Sequence, residues 1–136
     1  MTEPRYPRVI LGSVGIPWSE DWEILDDLFR DEVRAHLDAG IRHLYIFGTA
    51  GEGYAVTDAQ FDAVAGLFLD EMRRGSRPGA ETHAMIGVIS QSLRTIIERI
   101  ERAHDRGARE FQISFPNWGA LNDREVATFF REVVGR

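Results

Sequence analysis

The chain has 136 residues, a length that allows one domain and leaves no room for a second. Hydrophobic residues make up 43% and charged residues 28% of the sequence, as in an ordinary globular domain, so disorder and collagen are excluded. The net charge of −6 leaves no basic surplus for nucleic-acid phosphates or anionic lipid, and we therefore expect neither nucleic acid nor a membrane as a partner.

Two residue types are missing from the sequence, and each absence excludes a class of chemistry. The lack of cysteine excludes disulfides, thiolate metal ligands and thiol nucleophiles. All 16 basic residues are arginine, so no reaction that needs a lysine amine can take place within this chain. The N-terminal residues do not resemble a secretory signal, and no run approaches the ~18 apolar residues of a membrane span, so we expect a cytoplasmic protein.

Apolar runs alternate with helical apolar stripes along the first part of the chain. Residues 9–15 form a β-rich run before a proline turn and predict the first strand. A helix is predicted from Trp22, because apolar residues recur at intervals of three and four up to Leu37, and Gly40 is suited to end it. Residues 41–47 predict a second strand that is buried on both faces.

The rest of the chain repeats this alternation of helix and strand. Its predicted elements are a helix that opens with a capping-box pattern at 57–60, a strand at 83–89, a helix over 93–103, a strand at 111–115, and a helix that opens with a second capping-box pattern at 122–125. The charged segment 98–109 is interpreted as a solvated helix face, with ion pairs between residues three and four apart.

Four βα units in strict alternation predict an α/β fold with a parallel sheet, because parallel neighbours need a long crossover connection. Two architectures fit this pattern. A small doubly wound, flavodoxin-like sheet would close its own core and would make the chain a phosphate binder, and the chain length favours it. A (βα)8 barrel needs about 250 residues, so residues 1–136 would then be a single (βα)4 segment that forms half of the barrel.

The glycine-rich segment 48–53, which follows the second predicted strand, is the strongest candidate for chemistry. Its glycines allow successive backbone amides to converge on a carboxylate or phosphate, and Thr49 adds a hydroxyl that can relay a proton. The alternative is a tight βα turn without a ligand. The segment lacks the patterns of a Walker loop and of a dinucleotide fingerprint. The four histidines show no metal-ligand spacing, and we expect neither a metal nor a cofactor.

Residues 48–52, Gly-Thr-Ala-Gly-Glu, resemble the GTTGE motif of the dihydrodipicolinate synthase and N-acetylneuraminate lyase family. Four other segments also resemble the family and lie in the right order. Gly15-Ile16-Pro17-Trp18 with Asp21 resembles its T-P-F turn, and Tyr54-Ala55-Val56-Thr57 resembles the approach to its L-T-x-x-E helix. Ile86-Gly87-Val88 resembles its A-G-V strand, and Phe115-Pro116-Asn117-Trp118 resembles its P-Y-Y segment. The resemblance covers most of this chain but only the N-terminal half of a family member.

The resemblance implies the N-terminal half of a (βα)8 barrel and a class I aldolase-type reaction of pyruvate or another small 2-keto acid. The keto acid is held as a Schiff base on a lysine late in the barrel. In this scheme the backbone amides of Thr49 and Ala50, framed by Gly48 and Gly51, hold the substrate carboxylate. Thr49 matches the family's catalytic relay threonine, whereas Ala50 replaces the second threonine and keeps its amide.

Two departures from the family pattern change what is expected of this chain. Trp118 stands where the family's catalytic tyrosine is expected, and because indole only donates a hydrogen bond, we expect it to bind substrate as a pocket wall. The Schiff-base lysine belongs to the second half of the barrel, so the chain alone is predicted to be inactive. The alternative is a non-catalytic module or pseudoenzyme that binds a small carboxylate at the same loop.

Half a barrel would expose two strand edges and the apolar face meant for the missing half. We therefore expect either a C-terminal half that completes the barrel or a homo-oligomer in which two copies close it.

Overall fold

A computed structural model describes residues 7–115 and 119–134 of the chain. Within these residues, helices and strands alternate as predicted. They are β1 (Leu11–Ser13), α1 (Asp26–Asp38), β2 (His43–Ile46), α2 (Asp58–Gly75), β3 (His83–Val88), α3 (Leu93–Asp105), β4 (Glu110–Ile113) and α4 (Asp123–Val134). No described helix is both long enough and apolar enough to cross a membrane.

The strands form one parallel sheet in the order β1-β2-β3-β4. In a doubly wound sheet the strand order reverses near the middle, and helices cover both faces. Here each new strand is added at the same edge, and right-handed crossovers then place all the helices on one face. Contacts run from α1 to α2, from α2 to α3 and from α3 to α4, as this arrangement requires. The flavodoxin-like alternative is therefore excluded, and the predicted half barrel is confirmed.

The hydrophobic core lies between the sheet and the helices. Alternate strand residues point into it, and Leu44, Ile46, Ile86 and Val88 are fully buried. The helices add Phe29 and Val33 from α1, Phe61, Val64 and Phe68 from α2, and Ile96 from α3. Because burial alternates along β2, only one face of this strand is covered by helices, and the prediction that β2 is buried on both faces is wrong.

The opposite face of the sheet mixes polar and apolar side chains. The polar ones are His43 and Tyr45 of β2, His83 of β3, and Glu110 and Gln112 of β4, and the apolar ones are Leu11 of β1 and Met85 of β3. The rings of His43 and His83 stack with their centroids 4.1 Å apart, and His83 Nδ1 lies 3.0 Å from Glu110 Oε1. The pKa of His43 is lowered mainly by partial burial and then by the neighbouring His83, whereas Glu110 acts to raise it. The expectation of an apolar face therefore holds only for Leu11 and Met85 and is wrong for the histidines, Glu110 and Gln112.

Several exposed apolar side chains lie at the two outer edges of the sheet. Ile10 and Leu11 are exposed at the β1 edge, and Leu28 is exposed on the adjacent α1. Phe115 and Phe130 are exposed at the β4 edge, where their rings meet edge to face at 5.3 Å. In a closed barrel these are the edges that adjoin the next strand and the next helix.

The starts of α2 and α4 follow the local sequence, whereas the start of α1 does not. Thr57 and Gln60 bond reciprocally at the start of α2, and Asn122 and Glu125 do the same before α4, so both predicted capping boxes are confirmed. The predicted start of the first helix at Trp22 is wrong. The φ of Trp22 is 63°, in the left-handed region, and α1 begins at Asp26, four positions later.

Candidate functional site

The segment 48–53 turns away from β2 at the carboxyl end of the sheet, the end where (βα)8 barrels place their active sites. Phe47, directly after the strand, has a φ of 60° and redirects the chain sharply. Gly48 is buried beside the ring of Tyr45, and a Cβ at this position would lie 2.1 Å from the Tyr45 hydroxyl oxygen. A larger residue at position 48 would therefore have to displace the Tyr45 ring.

The loop is closed by its own hydrogen bonds and by packing on two strands. Gly53 N donates to the Gly48 carbonyl at 3.2 Å, and Glu52 N donates to the Thr49 carbonyl at 3.2 Å. A Cβ at Gly53 would lie 2.2 Å from the carbonyl oxygen of Phe47, which is backbone and has little room to move. A Cβ at Gly51 would lie 3.3 Å from the carbonyl oxygen at the end of β1. The glycines thus hold the loop against the main chain.

Thr49 and Ala50 form the exposed tip of this loop. Among the residues described, the backbone amides of Thr49 and Ala50 have no hydrogen-bond acceptor, and the Thr49 hydroxyl has no partner. Gly48, Thr49, Ala50 and Gly51 thus form one turn with two exposed residues whose adjacent amides have no acceptor among the described residues. Trp118, the fifth predicted binding residue, lies outside the described residues.

Arg99 of α3 holds the chain that follows the loop, and the sequence interpretation missed it. Its side chain is almost fully buried, and its Nη2 donates to the Val56 carbonyl at 2.9 Å. Its Nε donates to Asp58 Oδ1 at 2.9 Å, and its Nη1 lies 3.5 Å from the Gly53 carbonyl oxygen. The guanidinium also stands 5.1 Å from the centre of the Phe61 ring. One cation thus fastens both the end of the loop and the start of α2.

The prediction of a solvated helix face over residues 98–109 is therefore wrong at Arg99. Arg102 likewise pairs across to α2, with its Nε 3.3 Å from Asp62 Oδ1. The sequence contained a signal for this, because position 99 falls between the buried Ile96 and Ala103 on the apolar stripe of α3. A cation within a buried stripe indicates a partner on a neighbouring element.

The turn after β1 reaches the same end of the sheet and is also fixed. Gly15 N donates to Glu32 Oε1 of α1 at 2.9 Å. Within the described residues no group of three or more His, Asp or Glu side chains is placed to hold a metal ion. At this end of the described chain, the groups suited to a small anion are therefore the backbone amides of segment 48–53.

No protein-family model matches the sequence, and no curated protein matches it. Solved structures do match the fold. A putative dihydrodipicolinate synthetase from Pseudomonas aeruginosa matches with a TM-score of 0.84 at 20% identity, over 94% of this chain and 42% of that protein. The chain has the fold of the N-terminal part of a dihydrodipicolinate synthase.

Two further structures share this dihydrodipicolinate synthase fold. CdNal from Clostridium difficile, solved in complex with mannosamine, has a TM-score of 0.82 at 16% identity, over 93% of this chain and 42% of that chain. YagE is a prophage protein of the dihydrodipicolinic acid synthase family from E. coli K12, solved in complex with pyruvate. It matches with a TM-score of 0.81 at 19% identity, over 93% of this chain and 41% of that chain. The chain therefore spans less than half the length of these proteins, and the resemblance seen in the sequence is confirmed as a shared fold.

Proposed function

We propose that this chain supplies the carboxylate-binding loop of a class I aldolase-type lyase that acts on pyruvate or another small 2-keto acid. The observation that supports the proposal is the exposed turn at 48–51, where the amides of Thr49 and Ala50 have no acceptor within the described chain. Adjacent amide donors at a rigid turn suit a carboxylate, because the anion strengthens each hydrogen bond. Pyruvate bound to YagE, which shares the fold, gives the substrate class.

The roles of the residues follow from the groups they carry. The amides of Thr49 and Ala50 hold the carboxylate, Gly48 and Gly51 keep the turn tight, and the Thr49 hydroxyl relays a proton. Trp118 forms a wall of the pocket. An imine forms when an amine attacks the keto carbon and water leaves, and this chain contains no lysine to supply the amine. The chain alone is therefore inactive, and the amine comes from the other half of the barrel.

A second copy of the chain, or a separate C-terminal half, completes the barrel in this proposal. The exposed apolar residues at both edges, Ile10 and Leu11 beside β1 and Phe115 and Phe130 beside β4, support it, because unpaired parallel edges with apolar flanks attract further strands. The partners are thus a 2-keto acid and another half barrel, with no nucleic acid or membrane, and the net charge of −6 supports this. A cytoplasmic location is part of the same proposal.

Light scattering of the purified chain should show a dimer or a larger closed oligomer. The substitution Phe130→Arg should shift the chain towards monomer, because it places a charge in the apolar edge next to β4. Glu132→Arg, an exposed position on the same helix, is the control and should leave the mass unchanged. A monodisperse wild-type monomer that unfolds cooperatively would contradict closure by a second copy.

Thr49→Pro should weaken pyruvate binding by about tenfold or more, because it removes one charge-assisted amide donor from the loop tip. Thr49→Ala removes only the hydroxyl and should keep wild-type affinity. Binding is measured by NMR titration of the loop amides, with circular dichroism to verify that both variants fold. Equal affinity of the proline variant and the wild type would show that the carboxylate lies elsewhere.

A non-catalytic module that binds a small carboxylate, or a pseudoenzyme, is the second candidate function. The absence of lysine favours it, and so does the tryptophan at the position expected for a catalytic tyrosine. Both candidates use the same loop. They differ in whether the completing half delivers an amine to the bound keto acid.

A further inference from the structure

A polar cavity lies at the opposite end of the sheet from loop 48–53, between the C-terminal ends of α1 and α2. Its volume is about 370 Å³. Four arginines and two acidic residues line it: Arg34, Arg42, Arg74 and Arg77, with Asp38 and Glu71. The site is unusual in a chain whose net charge is −6, because cations outnumber acids around it.

Glu71 is the centre of this cluster and is 2% exposed. Its Oε1 accepts from Arg30 Nη1 at 2.6 Å, from Arg74 Nη1 at 3.0 Å and from Arg34 Nη2 at 3.1 Å. Its Oε2 accepts from Arg34 Nε at 3.0 Å. Burial alone would raise the pKa of Glu71, but the hydrogen bonds from Arg34 and Arg30 hold it below its ordinary value. One ionised carboxylate thus faces three guanidinium groups.

The other groups around the cavity do not remove the positive surplus. Asp31 pairs with Arg34 at 3.3 Å and Asp38 lines the cavity, so five arginines face three carboxylates. The side chains of Arg42 and Arg77 have no hydrogen-bond or ion-pair partner among the residues described here. Two positive charges are therefore uncompensated at this point.

Helix dipoles explain only part of the cluster. Arg74 lies in the last turn of α2, where a cation is stabilised by the negative end of the helix. Arg42 precedes β2 and Arg77 follows α2, so neither is a helical residue that serves this purpose. Their placement around the same cavity indicates a ligand.

We propose that this cavity binds a phosphate group, either as free phosphate or on a small phosphorylated molecule. Two surplus charges match a dianion, and planar guanidinium groups bind phosphate oxygens in pairs. Both helices that form the cavity belong to this chain and contact each other directly. The site is thus complete without any further part of a barrel, and it does not rest on the proposed keto-acid function.

The test is a calorimetric titration of the full chain with inorganic phosphate, together with NMR of the arginine side chains. We expect saturable binding at one site and a loss of affinity of about tenfold or more in the double variant Arg42→Gln/Arg77→Gln. The matched control is Arg94→Gln/Arg124→Gln, which removes the same charge from exposed positions on α3 and α4. Absence of saturable binding, or an equal loss in the control, would overturn the proposal.

One further variant separates a ligand site from a structural cluster. Glu71→Gln removes the competing carboxylate and should tighten phosphate binding, whereas a purely structural cluster predicts no gain in affinity. If this variant does not fold, the double arginine variant still decides, because those side chains bond to no other described residue.

Glycerol 3-phosphate should compete with inorganic phosphate, and tighter binding of the ester would identify a phosphorylated molecule as the ligand. Thr49→Pro should leave phosphate binding unchanged, so a failure of the keto-acid proposal remains distinguishable.

Discussion

Arg99→Leu should lower the free energy of unfolding by about 3 kcal/mol, the cost of leaving buried polar groups without their charged donor. The Val56 carbonyl and the Asp58 carboxylate each lose a 2.9 Å hydrogen bond, and the Gly53 carbonyl loses its neighbouring cation. Because these acceptors lie at the end of the loop, affinity for a keto acid should fall as well. Urea unfolding followed by circular dichroism measures the stability.

The control for this substitution is Arg94→Leu on the same helix. Arg94 is highly exposed, and among the described residues it bonds only to Glu98, one turn further along α3, at 2.7 Å. Such a solvent-exposed pair contributes little to stability. Arg99→Lys keeps the charge but loses the fork that reaches two acceptors at once, so its stability should lie between that of the wild type and the leucine variant. Equal losses at positions 94 and 99 would refute the structural role of Arg99.

Gly53→Ala should destabilise the protein by about 3 kcal/mol, at the upper end of the cost of overpacking, and should abolish keto-acid binding. The added Cβ would stand 2.2 Å from the Phe47 carbonyl oxygen, so either the loop or the end of β2 must move. Movement there displaces the Thr49 and Ala50 amides from their positions. Thermal unfolding and NMR titration with pyruvate measure the two effects.

Gly119→Ala is the matched control for this substitution. A Cβ at Gly119 meets no atom of the described part of the chain within 4 Å, and its φ is outside the left-handed region. Its unfolding temperature should equal or slightly exceed that of the wild type, since alanine reduces the entropy of the unfolded chain. A Gly53→Ala protein with unchanged stability would show that the loop does not pack on β2.

Local features were predicted well because their causes lie within a few residues. The capping boxes at Thr57 and Asn122 need only a partner three positions away, and the alternation of strands and helices follows from the spacing of apolar residues. The glycines of segment 48–53 also mark their turn by themselves, since a glycine-rich stretch directly after an apolar strand favours a tight turn, and Gly53 lies against the Phe47 backbone.

Other features depend on contacts between residues far apart in the chain. Length favoured a doubly wound sheet, and only the observed strand order excluded it. Arg99 was assigned to a solvated face because its acceptor at Val56 is 43 positions away. The sequence does not predict the burial of Glu71, because its partners Arg30 and Arg34 lie on a different helix. The pairing of His83 with Glu110 on the open face of the sheet depends on distant segments in the same way.

The sequence by itself determined the order of the elements, the capping boxes of α2 and α4, the position of the glycine turn and the exclusion of lysine and cysteine chemistry. The tertiary structure decided which way the sheet grows, which charges are buried, and where cations gather in excess. The physical reason is that backbone conformation responds to neighbours within one or two turns, whereas burial and charge pairing are settled only when distant segments come together.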